Sequence, residues 1–150
     1  MTSVDANILL YSYCAASPHH AAARAFLDTL APRSDVALSE FVLSEFYLHL
    51  RNPAVLDAPL AADEAVAVIQ SYRLHPRWRV LGFAPRSRDI HAALWKAAAT
   101  PNFARSRIYD LRIALCLQAF GVTRFATANV KDFEGTGFAT VWNPLLAAAA

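Results

Sequence analysis

A chain of 150 residues with 56% hydrophobic side chains, 14 basic, 12 acidic and a formal net charge of +2 has the length of one globular domain and excludes a disordered chain. No run approaches the roughly 20 apolar residues of a membrane span, and no basic N-terminal region precedes an apolar core, so neither a span nor a secretory signal is expected. Cys14 and Cys116 form neither a CxxC motif nor a disulfide framework, which suits two reduced thiols and a cytoplasmic location.

Thr2-Ser3-Val4 reads as a short strand ending at Asp5, followed by a helix from Asn7 through Tyr13 that Pro18 closes. An alanine-rich helix is expected over His19–Leu30, broken by Pro32 and Ser34-Asp35. Val36-Ala37-Leu38 suggests a second strand, and Ser39 is a good N-cap for a helix over Glu40–Leu50 that is apolar nearly all round. Ala62-Asp63-Glu64 opens a further helix ending near Leu74, with acids in its first turn as the helix dipole prefers. Trp78–Phe83 suggests a third strand, and Ser87-Arg88-Asp89 begins a helix reaching about Ala99. Ser106–Phe120 is expected to be helical with Gly121 at its C-cap. Arg124–Thr127 and Thr140–Trp142 read as the fourth and fifth strands, and residues 147–150 as a short alanine tail to a single domain over 1–146.

Short strands alternating with helices imply an α/β domain with a parallel sheet. In such sheets function gathers at the carboxyl ends of the strands. Asp5 and Asp132 follow strand-like segments, Asp110 lies at a helix start, and Glu45 is about one turn into the helix after the second strand. All four acids can therefore converge on one rim. Acids inside apolar segments need a reason, because an unpaired buried charge is costly. If they meet, their charges repel, and a divalent cation is the usual remedy; oxygen-only ligands favour Mg²⁺ or Mn²⁺ over zinc. The alternatives are structural: a helix cap at Asp5 or Asp110, an ion pair at Glu45, and an Asx-turn at Asp132. Glu40, five residues before Glu45, falls about 140° off its face. The five histidines show no ligand spacing, and surface or capping roles are expected of them.

The small net charge hides an asymmetry. Residues 1–72 carry three basic and eight acidic side chains, and residues 73–150 carry eleven basic and four acidic ones. A basic region of this kind suits a polyanion, the alternative being solvated helix faces or pairs with the acidic half.

An ordered set of motifs across almost the whole chain resembles PIN-domain ribonucleases, and within them the VapC-type toxins of bacterial toxin–antitoxin pairs. It comprises Asp5-Ala6-Asn7, Leu38-Ser39 leading to Ser44-Glu45-Phe46, Tyr109-Asp110-Leu111-Arg112-Ile113-Ala114, Gly121-Val122-Thr123, Ala126-Thr127-Ala128-Asn129-Val130-Lys131-Asp132-Phe133 and Asn143-Pro144. The resemblance implies a three-layer fold, a short-stranded parallel sheet flanked by helices. It implies a metal-dependent endoribonuclease leaving a 5′-phosphate and a 3′-hydroxyl, with Mg²⁺ or Mn²⁺ as cofactor. Asp5 and Asp110 correspond to the principal metal ligands, Glu45 to the helix-borne acid and Asn7 to the residue that orients Asp5. Asn129 and Asp132 share the last position, because some members carry an acid where Asn129 stands and others keep asparagine with Asp-Phe three residues on. Thr127 and Ser39 match hydroxyl positions near the metal site. The implied partners are an RNA substrate, a cognate antitoxin and a second copy of the chain, with no membrane. Arg105, Arg107, Arg112 and Lys131 are candidates for the RNA backbone, where basic side chains make affinity salt-dependent. Two other readings stand beside this one: a PIN-like RNA-binding protein weak in catalysis, which Asn129 favours, and a metal-dependent phosphohydrolase of similar fold acting on a small phosphate ester.

Overall fold

The computed structural model describes residues 1–146; the alanine run at 147–150, expected to be a tail, lies outside the described residues. Five short strands are present: β1 (Thr2–Val4), β2 (Ala37–Ser39), β3 (Arg79–Leu81), β4 (Arg124–Ala126) and β5 (Thr140–Trp142). Between them run α1 (Ala6–Tyr13), α2 (His20–Leu30), α3 (Glu40–Leu50), α4 (Ala62–Arg73), α5 (Ser87–Ala98), α6 (Arg107–Ala119) and α7 (Val130–Phe133).

All the strand pairings are parallel. β4 lies between β1 and β5, and β2 pairs with β3. A single bridge between Thr2 and Val36, with the Thr2 amide donating to Asp35 O at 2.9 Å, joins the two pieces. The strand sequence across the domain is therefore β3-β2-β1-β4-β5. The chain leaves β1 toward β2 on one side and returns to β4 on the other, so the strand order reverses between β1 and β4. Connections diverge there and open a crevice at the carboxyl ends, where ligands of open α/β sheets bind. Asp5 is the first residue beyond β1, and Thr127 the first beyond β4.

Local chemistry explains the helices that frame this crevice. Ser39 Oγ accepts from the Phe41 amide at 3.1 Å and caps α3. Only one stripe of α3 is buried, Val42, Leu43, Phe46 and Leu50, at the spacing of a helix face. The sequence suggests a helix apolar all round, yet Leu48 is 66% exposed, because a helix on one side of a sheet has a solvent side. Helix α6 ends in a Schellman turn: the Gly121 amide donates to Gln118 O, the Val122 amide donates to Leu117 O, and Gly121 sits at φ +88°. That turn sends the chain straight into β4.

The core runs continuously from the α1–α3 layer through the sheet to α6, with Ile8, Leu9, Leu43, Phe46, Leu117 and Phe125 fully buried. Phe125 of β4 stacks on Phe138 with centroids 5.1 Å apart and meets Phe133 of α7 at 4.5 Å. These contacts fix α7 beneath the rim. Asp132, expected just after a strand, stands instead in this one-turn helix. Cys14 and Cys116 are free thiols. No helix among the described residues is long and apolar enough to cross a membrane.

Candidate metal centre at the sheet rim

Asp5 is the anchor of the rim. It is 6% exposed and caps α1, with Oδ1 accepting from the Ala6 amide at 2.7 Å. Its other oxygen accepts from Thr127 Oγ1 at 2.6 Å and from Asn7 Nδ2 at 3.0 Å. Asn7 Oδ1 in turn accepts from the Ala128 amide at 3.2 Å, so this side chain spans from α1 to the segment after β4. Thr127 Oγ1 accepts from the Asn129 amide at 3.0 Å. The helix-cap reading of Asp5 and its place at the rim thus hold together, because one oxygen does each.

Glu45, Asp110 and Asp132 are carried by α3, α6 and α7. Burial pushes the Asp5 carboxyl up to about 6, with the charges of Glu45 and Asp132 adding to it and the Thr127 hydroxyl opposing it. Burial likewise raises Asp110 to about 6, helped by the charges of Asp132, Asp5 and Glu45 and opposed by Arg107. The charges of Glu45 and Asp132 thus bear on both Asp5 and Asp110. Among the described residues no lysine or arginine forms an ion pair with Asp5, Glu45, Asp110 or Asp132. Asp110 and Asp132 make no side-chain hydrogen bond there either.

An oxygen-rich, uncompensated cluster of this kind fits a hard divalent cation. Among the described residues no three acid, histidine or cysteine side chains stand close enough to hold one ion as they lie. Asp5 is pinned, whereas Glu45 and Asp132 are exposed and Asp110 is half-buried. Gathering the donors round an ion is thus a matter of turning Asp110, Asp132 and the His49-paired Glu45 toward the pinned Asp5.

The remaining sequence candidates divide. Asn129 is exposed, and its amide, not its side chain, joins the hydrogen-bond chain through Thr127. Ser39 lies at the same rim, but its hydroxyl is taken up as the α3 cap. Glu40 pairs with Arg73 of α4 at 2.9 Å, facing away from Glu45. Arg107 donates from Nη2 to Glu134 O at 2.6 Å, tying α6 to the loop after α7. The Arg112 guanidinium lies over the rings of Phe41 and Tyr109, 5.3 Å from each centroid. Arg105 and Lys131 are exposed.

His49 was not singled out by its spacing to other histidines. Its Nε2 stands 3.7 Å from Glu45 Oε1, and the Glu45 carboxylate raises its pKa, with the charge of Asp5 adding and burial opposing. The signal in the sequence was its position four residues after Glu45, on the same helix face.

A family model described as the PIN domain matches residues 3–138. The chain belongs to the PIN-domain family. Ribonuclease VapC24 of Mycobacterium tuberculosis is 46% identical over 145 residues, covering 97% of each chain. Two solved structures share the PIN fold with this chain. Mycobacterium tuberculosis VapC20, described as a sarcin-ricin loop cleaving toxin, superimposes with a TM-score of 0.66 at 19% identity, covering 92% of this chain and 96% of that one. The VapBC2 complex of Rickettsia felis, bound to a promoter DNA fragment, gives 0.67 at 18% identity, covering 95% and 97%. Within the PIN family, then, the crevice between β1 and β4 and its four acids form the candidate site.

Proposed function

We propose that this PIN-domain protein is a divalent-metal-dependent endoribonuclease acting as the toxin of a toxin–antitoxin pair. The observation that supports the reading is that Asp5 and Asp110 are both raised by burial and, beyond it, by the charges of Glu45 and Asp132. The 46% identity to a named ribonuclease supports the substrate class.

Asp5 and Asp110 would hold Mg²⁺ or Mn²⁺, and Glu45 and Asp132 would hold a second ion or the waters of the first. A divalent cation bound there would supply an activated water and charge neutralisation at the phosphate and the leaving oxygen. Asn7 and Thr127 fix the Asp5 carboxylate so that one oxygen keeps its orientation toward the crevice. In this reading Asp132 takes the fourth position and Asn129 supports the loop beside it, since the Asn129 amide already donates to Thr127 Oγ1. Arg105 and Lys131 meet the RNA backbone. In-line attack leaves a 5′-phosphate and a 3′-hydroxyl. An antitoxin protein neutralises the toxin, the active form is a homodimer, and the protein works in the cytoplasm.

The test is cleavage of total tRNA and of mixed-sequence single-stranded RNA in Mg²⁺, Mn²⁺ or EDTA, comparing the wild type with Asp110→Asn. Cutting in metal that EDTA and Asp110→Asn both abolish supports the reading. A second reading, an RNA-binding protein weak in catalysis, is favoured by the uncharged Asn129. Retention of RNA without cutting in any metal would select it.

A further inference from the structure

Four side chains form a contiguous cluster on the elements that carry the acids. Phe83 meets Phe41 edge-on, with centroids 5.7 Å apart and planes at 73°. The Arg112 guanidinium lies over the rings of Phe41 and Tyr109, 5.3 Å from each centroid. The two ends of the cluster are open: Phe83 is 86% exposed and Tyr109 64%. Large aromatic rings left this exposed do not contribute to the core.

Tyr109 immediately precedes Asp110 on α6. Phe41 lies one turn before Glu45 on the same side of α3. Phe83 follows the carboxyl end of β3 by two residues, on the rim that also holds Asp5. Arg112 has no acid within ion-pairing distance among the described residues, and its buried Nε has no hydrogen-bond partner. The cation is held by rings alone, so its charge is not neutralised from within the protein.

We propose that Phe83, Phe41, Arg112 and Tyr109 form a stacking platform that receives unpaired bases of the RNA strand whose phosphate lies at the acids. Aromatic rings stack on the faces of unpaired bases, and arginine adds both a planar surface and attraction for the backbone. A base held in a duplex has no free face to offer, so the platform selects single-stranded or looped RNA. The chemistry of the surface argues against a protein helix at this place. The exposed aliphatic side chains Leu48 and Val66 lie instead in the groove between α3 and α4, with Tyr47 and Ile69. Aromatic rings with an unpaired cation stand at the rim, and aliphatic side chains stand away from it. The proposal rests on the ribonuclease reading and deepens it.

The experiment uses a dye-labelled, mixed-sequence 12-nucleotide single-stranded RNA and a blunt-ended, loop-free duplex of the same length, bound by the full chain in EDTA and followed by fluorescence anisotropy. Phe83→Ala is expected to weaken single-strand binding roughly fivefold to a hundredfold while duplex binding stays within about twofold. Phe83→Trp restores the affinity, and Tyr109→Ala reproduces the loss from the other end of the cluster. Equal binding of single strand by wild type and Phe83→Ala overturns the proposal. So does an equal loss on single strand and duplex, which marks a general electrostatic or folding effect. A change in sedimentation of Phe83→Ala with unaltered single-strand binding also overturns it and makes the cluster a contact between copies of the chain. Wild-type cleavage in Mg²⁺, run in parallel, separates the two ideas. Cutting with no Phe83 effect sinks the platform alone; neither binding nor cutting by the wild type sinks the ribonuclease reading with it.

Discussion

Thr127 Oγ1 donates to Asp5 Oδ2 across 2.6 Å, joining the carboxyl ends of β4 and β1 over 122 residues of sequence. This bond holds Asp5 lower than burial alone would leave it. Thr127→Val removes the donor and leaves a buried carboxylate oxygen short of one partner. Urea unfolding should show a loss of about 1–3 kcal/mol. The acidic limb of the cleavage profile should move to higher pH, because Asp5 then ionises later. An unchanged profile would place Asp5 outside the reaction.

Metal-free protein should lose stability as pH rises through 6. Asp5 and Asp110 ionise at about 6 in the folded state against an ordinary carboxyl value of 3.8. The folded state therefore binds more protons than the unfolded one between these values, and the stabilisation is complete below about 3.8 and lost as pH climbs through 6. His49, raised by Glu45, contributes in the same direction at somewhat higher pH, its charged form being the favoured one. Thermal melts in EDTA should fall between pH 5 and pH 7.5. Mg²⁺ or Mn²⁺ should raise the melting temperature at pH 7.5 and much less at pH 5, where protons compete. A metal effect equal at both pH values would contradict the assignment of these acids.

Asp110→Asn should reduce cleavage roughly a hundredfold or more, since a lost ligand forfeits several kcal/mol of charge stabilisation. The same change removes one of four like charges. In EDTA at pH 7.5 the variant should melt at or above the wild-type temperature. A lower melting temperature would make Asp110 a structural acid.

Gly137→Ala tests the loop between α7 and β5. Gly137 sits at φ +107°, and an added Cβ would stand 2.6 Å from Gln118 Oε1. Gln118 Nε2 donates to Thr136 O at 2.9 Å, so moving the amide breaks that bond. Strain and the lost bond together should cost about 1–3 kcal/mol in urea unfolding. Cleavage should fall less than in Asp110→Asn, because the loop supplies no acid of its own to the candidate site and acts on it only through α6 and α7.

Much of this architecture is legible in the residues. Period, caps and breakers give five strands and the long helices; Ser39 marks the start of α3, and Gly121 the end of α6. The acids are legible because strand ends and helix starts predict which side of a parallel sheet they occupy. Helix α7 is not: four residues make one turn, too short to show a period, and Asp132 reads as strand-following until Phe133 and Phe138 are seen to pack on Phe125. The internal use of Arg107 and Arg112 is also invisible, since a basic side chain reads alike whether it meets solvent, a carbonyl or two rings. Phe83 reads as the end of an apolar strand, and only its exposure distinguishes it from core. The sheet order rests on one bridge between Thr2 and Val36, a tertiary fact that local sequence does not encode.

The distance along the chain between Asp5 and Thr127 has a temporal meaning. At roughly 5–20 residues per second, a ribosome needs on the order of six to twenty-five seconds to make the residues that separate them. Until then β1 lacks its neighbour β4, Asp5 lacks its hydroxyl partner, and Asp110 and Asp132 have no common surface to share. The acids of the candidate site can therefore come together only as translation nears completion.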